Sequence, residues 1–361
     1  MKILALTSSF PLHAKDERSV FIKRLYDAIA ASGVDLTLVA PHSYQGLLPY
    51  RVVTLSREYA AFGGSGLIPT IRANPFSALY LPQAVLEFKS IIAEIKPDVV
   101  HANWSLTAMA AIASGYPTVV TLRGADVPML KVPIIGSCTK LVFKKAAVIT
   151  AVGSSLAAEA SRLIKRSVVV IENGVELVSP EPIDVPQRYL LAVGTVIPRK
   201  QTFELISAFK KFSLRNSSHN LVIAGRLADE KYANAVRELI VTLELQQRVH
   251  LLSAVTPGQI TTLLQNAAAF VSFSKAEGRP NAVLEAQAAG IPCVLSSIQA
   301  HLDMLKPNDR IFDAADVEAA CGAMLLILTG DRSSVNNHVK SWHECAAQYV
   351  ELFRRLSRPA A

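Results

Sequence analysis

The stretch SKAEGRPNAVLEAQAAGIP, Ser274 to Pro292, holds the most chemistry in this chain. Its two carboxylates, Glu277 and Glu285, are separated by a Gly-Arg-Pro-Asn turn and the start of a helical pattern. Pro280 suits a first helical position, where an N–H has no intrahelical partner to lose. The N–H groups of Asn281, Ala282 and Val283 would then point outward, unpaired. Together with the helix dipole they form an anion site, suited to a diphosphate. Gly278 permits close backbone approach or a positive φ ahead of that helix. Glu285 lies beyond the first turn and would reach sideways to a neutral diol, while Glu277 faces the other side of the same cavity. One ligand that carries a sugar, a diphosphate and a ribose satisfies all three features. The plainer reading of either acid is a dipole partner or a solvated helix face.

Short apolar runs alternating with helical patterns must position these groups. Strands are expected at Lys2–Thr7, Asp35–Ala40, Asp98–Ala102, Thr118–Leu122, Ala147–Ala151 and Val168–Glu172, with helices at Val20–Ser32 and Leu81–Glu94. The Pro-rich segment Val175–Gln187 reads as a linker. Strands resume at Tyr189–Gly194, Asn220–Gly225, Val249–Ser253, Ala269–Phe273, Cys293–Ser296 and Arg310–Asp313. Helices fit Thr202–Arg215, Tyr232–Leu243, Thr256–Gln265, Pro280–Ala289, Val317–Leu328 and the closing Ser341–Leu356. Runs apolar throughout and separated by helices imply a parallel sheet covered on both faces. Each run ends in a polar or small cluster, where ligands of such sheets sit. The expected organisation is two tandem doubly wound, Rossmann-like α/β domains with a cleft between them: 1–176, a linker 177–188, 189–340, and a last helix 341–356. Tyr59–Leu81 lacks periodicity and reads as a long functional or partner-facing loop.

Bulk properties agree. A chain of 361 residues is longer than one core usually supports, and 51% hydrophobic against 18% charged residues leaves little room for disorder. Lys+Arg of 37 against Asp+Glu of 29 gives +8, which favours anionic partners. Those positive charges are scattered and no nucleic-acid motif appears, so nucleic acid is not an expected partner. Cys138, Cys293, Cys321 and Cys345 stand far apart, without metal-ligand or disulfide spacing, as in a reducing compartment. MKILALTSSFP has an apolar run too short for a secretory leader, and no apolar stretch reaches the roughly 18 residues of a spanning helix. A cytoplasmic location is expected, with a peripheral contact to the inner face of the membrane. For that contact the sequence offers Lys140, Lys144 and Lys145 beside Leu141, Val142 and Phe143; a solvated helix face is the alternative.

EGRPNAVLEAQAAGIPCV closely resembles the signature of the family 4 retaining glycosyltransferases (glycosyl transferases group 1), two-domain enzymes of the GT-B fold. Other stretches match in order: DVVHANW at 98–104, TLRGADV at 121–127, VIENGVE at 170–176, LLAVGTVIPRK at 190–200, LVIAGRL at 221–227 and VHLLSAV at 249–255. SWHECAAQYVELF is similar to the family's closing helix, which crosses back onto the first domain. The resemblance spans nearly the whole chain.

The resemblance implies a hexosyltransferase-type, retaining, metal-independent enzyme that takes its sugar from a nucleoside-diphosphate sugar and needs no cofactor. It implies a glycan or lipid-linked saccharide acceptor, and a role in polysaccharide or lipopolysaccharide biosynthesis. Glu285 would hold the ribose hydroxyls and Glu277 the transferred sugar near its reacting carbon. Main-chain N–H groups of Arg279, Asn281 and Ala282, around the Pro280 turn and with Gly278 ahead of them, would cradle the diphosphate. Lys200 would neutralise the leaving phosphate, Gly225 and Arg226 would form a turn near the nucleotide, and Ser253 to Val255 would lie beside the base. The family's Gly-Arg reads Gly194-Thr195 here, so Arg199 or Arg226 is expected to supply the missing cation. Arg123 stands in place of a histidine beside the reacting carbon; it donates hydrogen bonds but accepts no proton. Asn103 replaces a second histidine. The first loop offers Lys15, Asp16, Glu17, Arg18 and Ser19 in place of a glycine pair. Asp126 keeps its place, where it would also serve as a helix N-cap. Ser19, Asn103 and Asp126 are the expected acceptor-side residues.

Other classes remain on the table. A non-catalytic sugar-nucleotide or glycan-binding relative and a sugar-nucleotide epimerase share the expected fold. A nicotinamide-dependent dehydrogenase would require a G-x-G-x-x-G after the first strand, where SSFPLHAKDERS stands instead.

Overall fold

The central strands form from runs that leave no wet face. In the computed structural model, which describes residues 1–14, 16, 19–56, 80–124, 126–132, 135–330 and 339–357, the first sheet contains Lys2–Leu6 (β1), Asp35–Ala40 (β2), Arg51–Thr54 (β3), Val99–Asn103 (β4), Thr118–Leu122 (β5), Val148–Ala151 (β6) and Val169–Val170 (β7). Every residue of β4 and β5 is buried, the pattern of strands sandwiched between helices. All pairings are parallel, in the order β3-β2-β1-β4-β5-β6-β7. The second sheet joins Tyr189–Val193 (β8), Asn220–Ala224 (β9), Val249–Leu252 (β10), Ala269–Ser272 (β11), Cys293–Ser296 (β12) and Arg310–Phe312 (β13) in the parallel order β10-β9-β8-β11-β12-β13. Both are doubly wound α/β sheets. The winding direction reverses between β1 and β4 in one and between β8 and β11 in the other. At such switch points the carboxyl ends of neighbouring strands splay apart and leave a crevice.

The chain divides into two compact units, Met1–Gly174 with Lys340–Ala361, and Val175–Val339. In the first, the helix Trp342–Ser357 buries Trp342, Cys345, Ala346, Tyr349, Val350 and Phe353 in a core shared with Ile22, Leu25, Tyr26 and Ile29 of the helix Val20–Ala31. Gly174 meets this helix closely: a Cβ there would lie 2.4 Å from the main-chain nitrogen of Trp342. In the second unit, the Pro-rich segment is bound to the domain surface. Leu177, Ile183 and Val185 pack on the core under β8, the Glu181 N–H donates to Gly258 O (3.1 Å), and Thr262 Oγ1 donates to Glu181 O (2.6 Å).

Several elements escape the sequence pattern. The strand β3 sits at the sheet edge with an exposed or half-exposed face throughout, so it lacks the apolar signature of its neighbours. The helix Trp104–Ala113 is almost wholly small and apolar, which erases the periodicity that marks an amphipathic helix. On the helix Ile135–Lys144, Phe143 is buried while Leu141 is 62% exposed, so the apolar residues beside Lys140 and Lys144 do not all face outward. Lys145 lies one residue past that helix. Residues 57–79, most of the aperiodic Tyr59–Leu81 segment, and Lys15, Glu17 and Arg18 lie outside the described residues. Among the described residues no helix is long and apolar enough to cross a membrane.

Candidate active site

In the second unit the two strands at the switch point present the charged groups. After β8 the chain passes Gly194 and Thr195, then forms a single 3-10 turn, Pro198–Lys200. Gln201 follows in a left-handed conformation (φ 51°, ψ 47°), which costs a non-glycine residue roughly 1–2 kcal/mol, and the helix Thr202–Arg215 begins. After β11 the chain passes the fully buried Ser274 and reaches Glu277. The two loops are tied together by a main-chain bond from Lys275 N–H to Arg199 O (2.9 Å).

Glu277 is the centre of this arrangement. Its side chain is only 9% exposed, and it accepts from Lys200 Nζ (2.7 Å), Arg199 Nη1 (2.8 Å) and Ser274 Oγ (2.9 Å). Arg199 also donates to Ala276 O (2.6 Å), which clamps the loop. Burial on its own would raise the Glu277 carboxyl, but the Lys200 and Arg199 charges outweigh it and hold the group down at about 2. Glu277 is therefore a fixed anion at neutral pH.

Pro280 precedes the helix Asn281–Ala288 as its cap in extended conformation (φ −76°, ψ 98°), one position earlier than the sequence pattern places it. The first turn is tight: the N–H groups of both Val283 (3.0 Å) and Leu284 (3.3 Å) donate to Pro280 O. Val283 is thus spent within the turn and cannot serve an anion as expected. The Ala282 N–H is left at the helix head, and Gly278 does not take a positive φ. Glu285 is half-buried on this helix, just over one turn from its start.

The neighbouring strand ends complete the pocket wall. Gly225 has φ +147°, and a Cβ there would lie 2.3 Å from Gly194 O, so the β8 and β9 exits pass each other with no room for a side chain at Gly225. A Cβ on Gly194 (φ +148°) would lie 3.3 Å from Lys200 Nζ. Arg226 points its side chain into solvent while its carbonyl accepts from the Val196 N–H (2.9 Å). Gly194, Thr195, Lys200 and Ser274 line one small pocket. Val255 packs its side chain with Val222 and Ala224 in the core, which leaves its backbone as the part available to a ligand.

Beneath Glu277 lies a relay that the sequence pattern does not reveal. His301, fully buried, stands 3.1 Å from Ser296 Oγ and 3.3 Å from Ser272 Oγ; Ser296 Oγ donates to Ser274 O (2.8 Å). Burial lowers the His301 pKa, so the imidazole is neutral and braces the loop as an uncharged partner. Nothing in the spacing of a single histidine on the short helix Gln299–Leu302 marks it; only its position under β11 and β12 does.

The first unit assembles Arg123, Asn103, Asp126 and Ser19 at the carboxyl ends of its strands. Arg123 follows β5; its Nε donates to Asn103 Oδ1 (2.9 Å), its Nη1 to Asn173 Oδ1 (3.2 Å), and its main-chain N–H to Asp126 Oδ2 (3.0 Å). Asp126 is the buried first residue of the helix Asp126–Leu130. Asn103 donates to the Tyr26 hydroxyl, which pairs with His101 Nδ1 (3.0 Å). His101 Nε2 meets Thr121 Oγ1 (2.8 Å), and that hydroxyl meets Tyr349 (3.1 Å) on the closing helix. Burial first, and the Arg123 charge second, lower His101 to about 3 and keep it neutral. Ser19 caps the helix Val20–Ala31 in left-handed conformation (φ 51°) and donates to Ser9 Oγ (2.7 Å). Tyr26, His101 and Asn173 are participants that spacing alone does not mark.

Among the described residues no three or more His, Cys, Asp or Glu side chains gather as metal ligands. What the second unit offers instead is two cations, a helix head and a buried carboxylate around one crevice.

Comparisons with known proteins place these features in context. The family model described as Glycosyl transferases group 1 matches residues 176–345, and the one described as Glycosyltransferase Family 4 matches residues 19–178. A Bacillus subtilis (strain 168) glycosyltransferase named for teichuronic acid biosynthesis, TuaC, is 26% identical over 336 residues, covering 82% of this chain and 81% of that protein. The GDP-mannose:cellobiosyl-diphosphopolyprenol alpha-mannosyltransferase of Xanthomonas campestris is 31% identical over 157 residues, 41% of each chain. Among solved structures, sucrose-phosphate synthase from Thermosynechococcus elongatus superposes with a TM-score of 0.78 at 19% identity over 99% of both chains, a likeness of fold.

Proposed function

This chain belongs to the family 4 glycosyltransferases and has their GT-B fold of two Rossmann-like parallel-sheet units, and from that premise we propose that it moves a hexose from a nucleoside-diphosphate sugar to a glycan or lipid-linked saccharide, with retention of configuration, in cell-surface polysaccharide biosynthesis. The observation that carries this reading is Glu277, held between Lys200 and Arg199 at the switch point and directly ahead of the helix that bears Glu285. Three chemically different parts of one donor fit that order: sugar hydroxyls at Glu277, diphosphate at the cations and helix head, ribose diol at Glu285. Names of the relatives support it, since one acts from GDP-mannose on a diphosphopolyprenol-linked saccharide and another is named for a wall polysaccharide.

As the bond between the anomeric carbon and the diphosphate breaks, negative charge grows on the departing phosphate. Lys200 and Arg199 are already fixed beside it, and preorganised charge of this kind lowers the barrier without reorganisation. The N–H groups of Arg279, Asn281 and Ala282 add donors at the helix head, so no metal ion is required for that neutralisation. The new bond forms on the face the diphosphate leaves, and the acceptor hydroxyl proton passes to the departing phosphate oxygen. Thr195, Gly225 and Arg226 border the diphosphate and nucleoside, and the Val255 backbone lies beside the base. In the first unit Ser19 and Arg123 receive the acceptor, with the buried Asn103 and Asp126 holding Arg123 in place. A basic face on the helix Ile135–Lys144 would bring the enzyme to the inner membrane surface, where lipid-linked acceptors reside.

The test is incubation with a panel of sugar nucleotides and lipid-linked or soluble saccharides. Transfer or donor hydrolysis that disappears in Glu277→Ala supports the reading. Binding across the panel without turnover would make the chain a non-catalytic relative, and isomerised donor without transfer would make it an epimerase.

A further inference from the structure

We propose that Arg123 is a receptor for an oxyanion, so that the saccharide bound in the first unit carries a carboxylate or a phosphate group. The proposal rests on the reading of the first unit as the acceptor side, and it specifies the chemistry of that acceptor.

The argument starts from what the guanidinium lacks. A guanidinium offers five N–H donors and always carries its charge. Arg123 spends Nε on Asn103 Oδ1 and Nη1 on Asn173 Oδ1, both neutral amide oxygens. Its Nη2 is buried and has no hydrogen-bond partner. Among the described residues no carboxylate makes an ion pair with it; Asp126 takes the main-chain N–H instead. The side chains further along the network add no negative charge. His101 is held neutral, and burial raises the hydroxyls of Tyr26 and Tyr349. The Arg123 guanidinium therefore has only neutral side-chain partners, and both N–H donors of its Nη2 are unspent.

Such an arrangement costs free energy unless a counter-charge arrives, since a buried donor left unpaired loses its hydration without compensation. A neutral sugar hydroxyl would need one uncharged donor, which an asparagine or histidine supplies with a far smaller desolvation cost. A planar fork with free N–H groups matches two oxygens of a carboxylate or phosphate. The surroundings fit a saccharide that bears one. Phe21 covers the guanidinium (5.1 Å from Cζ to the ring centroid), and Trp104 packs edge-on against Phe21 (6.4 Å). Both rings are half-buried, so an incoming sugar meets aromatic faces next to the cation. Trp104, directly after β4, holds φ at 66°, a left-handed conformation rare for a bulky side chain. Asn103 and Asn173 hold the guanidinium from below, and Tyr26 holds Asn103 in turn.

The experiment uses the full chain and three probes: methyl glucuronide, methyl glucoside and inorganic phosphate, titrated by ligand-observed NMR. Wild type, Arg123→Gln and Arg123→Lys are compared, with nucleoside diphosphates titrated in parallel. The expected result is that at least one anionic probe binds wild type about tenfold or more tightly than the glucoside. Arg123→Gln abolishes that preference and Arg123→Lys keeps part of it, while nucleoside diphosphate affinity is unchanged in both. Preference for the glucuronide identifies a uronate; preference for phosphate identifies a phosphorylated saccharide. Equal binding of charged and neutral probes, or anion binding that survives in Arg123→Gln, overturns the proposal. Retained nucleoside diphosphate binding shows that the variants fold. If nucleoside diphosphates fail to bind even wild type while the anion preference holds, the donor reading fails and this one stands.

Discussion

Lys200 Nζ lies 2.7 Å from Glu277 Oε1, joining the exit of β8 to the exit of β11 across the switch point of the second sheet. The pair sets both the shape and the charge of the candidate donor site. Arg199 on the other carboxylate oxygen makes the anion bidentate between two cations, so the charges await a ligand in fixed positions.

Glu277→Gln keeps the size of the side chain and removes its charge. Turnover is expected to fall on the order of 100-fold or more, with a smaller change in donor KM, because the lost interaction develops with the reacting sugar. Steady-state kinetics with the active donor check this; an unchanged kcat would remove Glu277 from the chemistry.

The Glu277 carboxyl, lowered from 4.5 to about 2, also predicts a pH effect. A depressed acid stabilises the fold above its unfolded pKa and loses that contribution as pH falls through the folded value. Wild type should therefore lose stability between about pH 4.5 and 2 more steeply than Glu277→Gln, by on the order of a few kcal/mol. Denaturant titrations of both proteins across that window give the comparison.

His101 works in a neighbouring window. Its pKa is lowered from 6.5 to about 3, so the unfolded chain binds a proton that the folded chain refuses. Stability is full above about pH 6.5 and declines as pH falls toward 3. His101→Gln should flatten the pH 6.5–4 part of the profile, at about 1–3 kcal/mol lower stability at neutral pH for the broken link between Tyr26 and Thr121. Equal slopes in the two proteins would refute the assignment.

Lys200→Met should weaken nucleoside diphosphate binding by on the order of tenfold or more and leave nucleoside binding nearly unchanged, since the lost charge faces phosphate. Wild-type transfer should be insensitive to a chelator such as EDTA. Inhibition by the chelator, reversed by added divalent cation, would show that Lys200 and Arg199 do not suffice.

Gly225→Ala brings a Cβ to 2.3 Å from Gly194 O at a φ of +147°. Neither backbone can yield without moving the Lys200 turn, so a stability loss of about 1–3 kcal/mol or more is expected, together with weaker donor binding. Thermal unfolding and a nucleoside diphosphate titration read the two effects separately.

Much of the architecture was legible in the chain itself. Runs such as VVHAN and TVVTL, apolar without alternation, admit only strands buried on both faces, and hence parallel sheets under helices. The EGRPNAVLE segment carried the two acids and the helix start because their roles depend on spacing along one piece of chain. Helix Trp104–Ala113 was silent, since a helix without a polar face has no period to read.

The partners of the site were decided in three dimensions. Lys200 and Glu277 are far apart in sequence and meet only because β8 and β11 are neighbours at the sheet reversal. His301 under Ser274, and Asn103 with Asn173 around Arg123, depend on strand order in the same way. Even the helix head changed: the sequence offered three N–H groups, and the tight turn onto Pro280 O consumed that of Val283. Residue types and local spacing determine which chemistry is available, because helices, turns and buried strands follow from neighbours in the chain. Which charges neutralise one another, and which is left without a partner, follows from sheet order and burial, which bring together groups the chain keeps far apart.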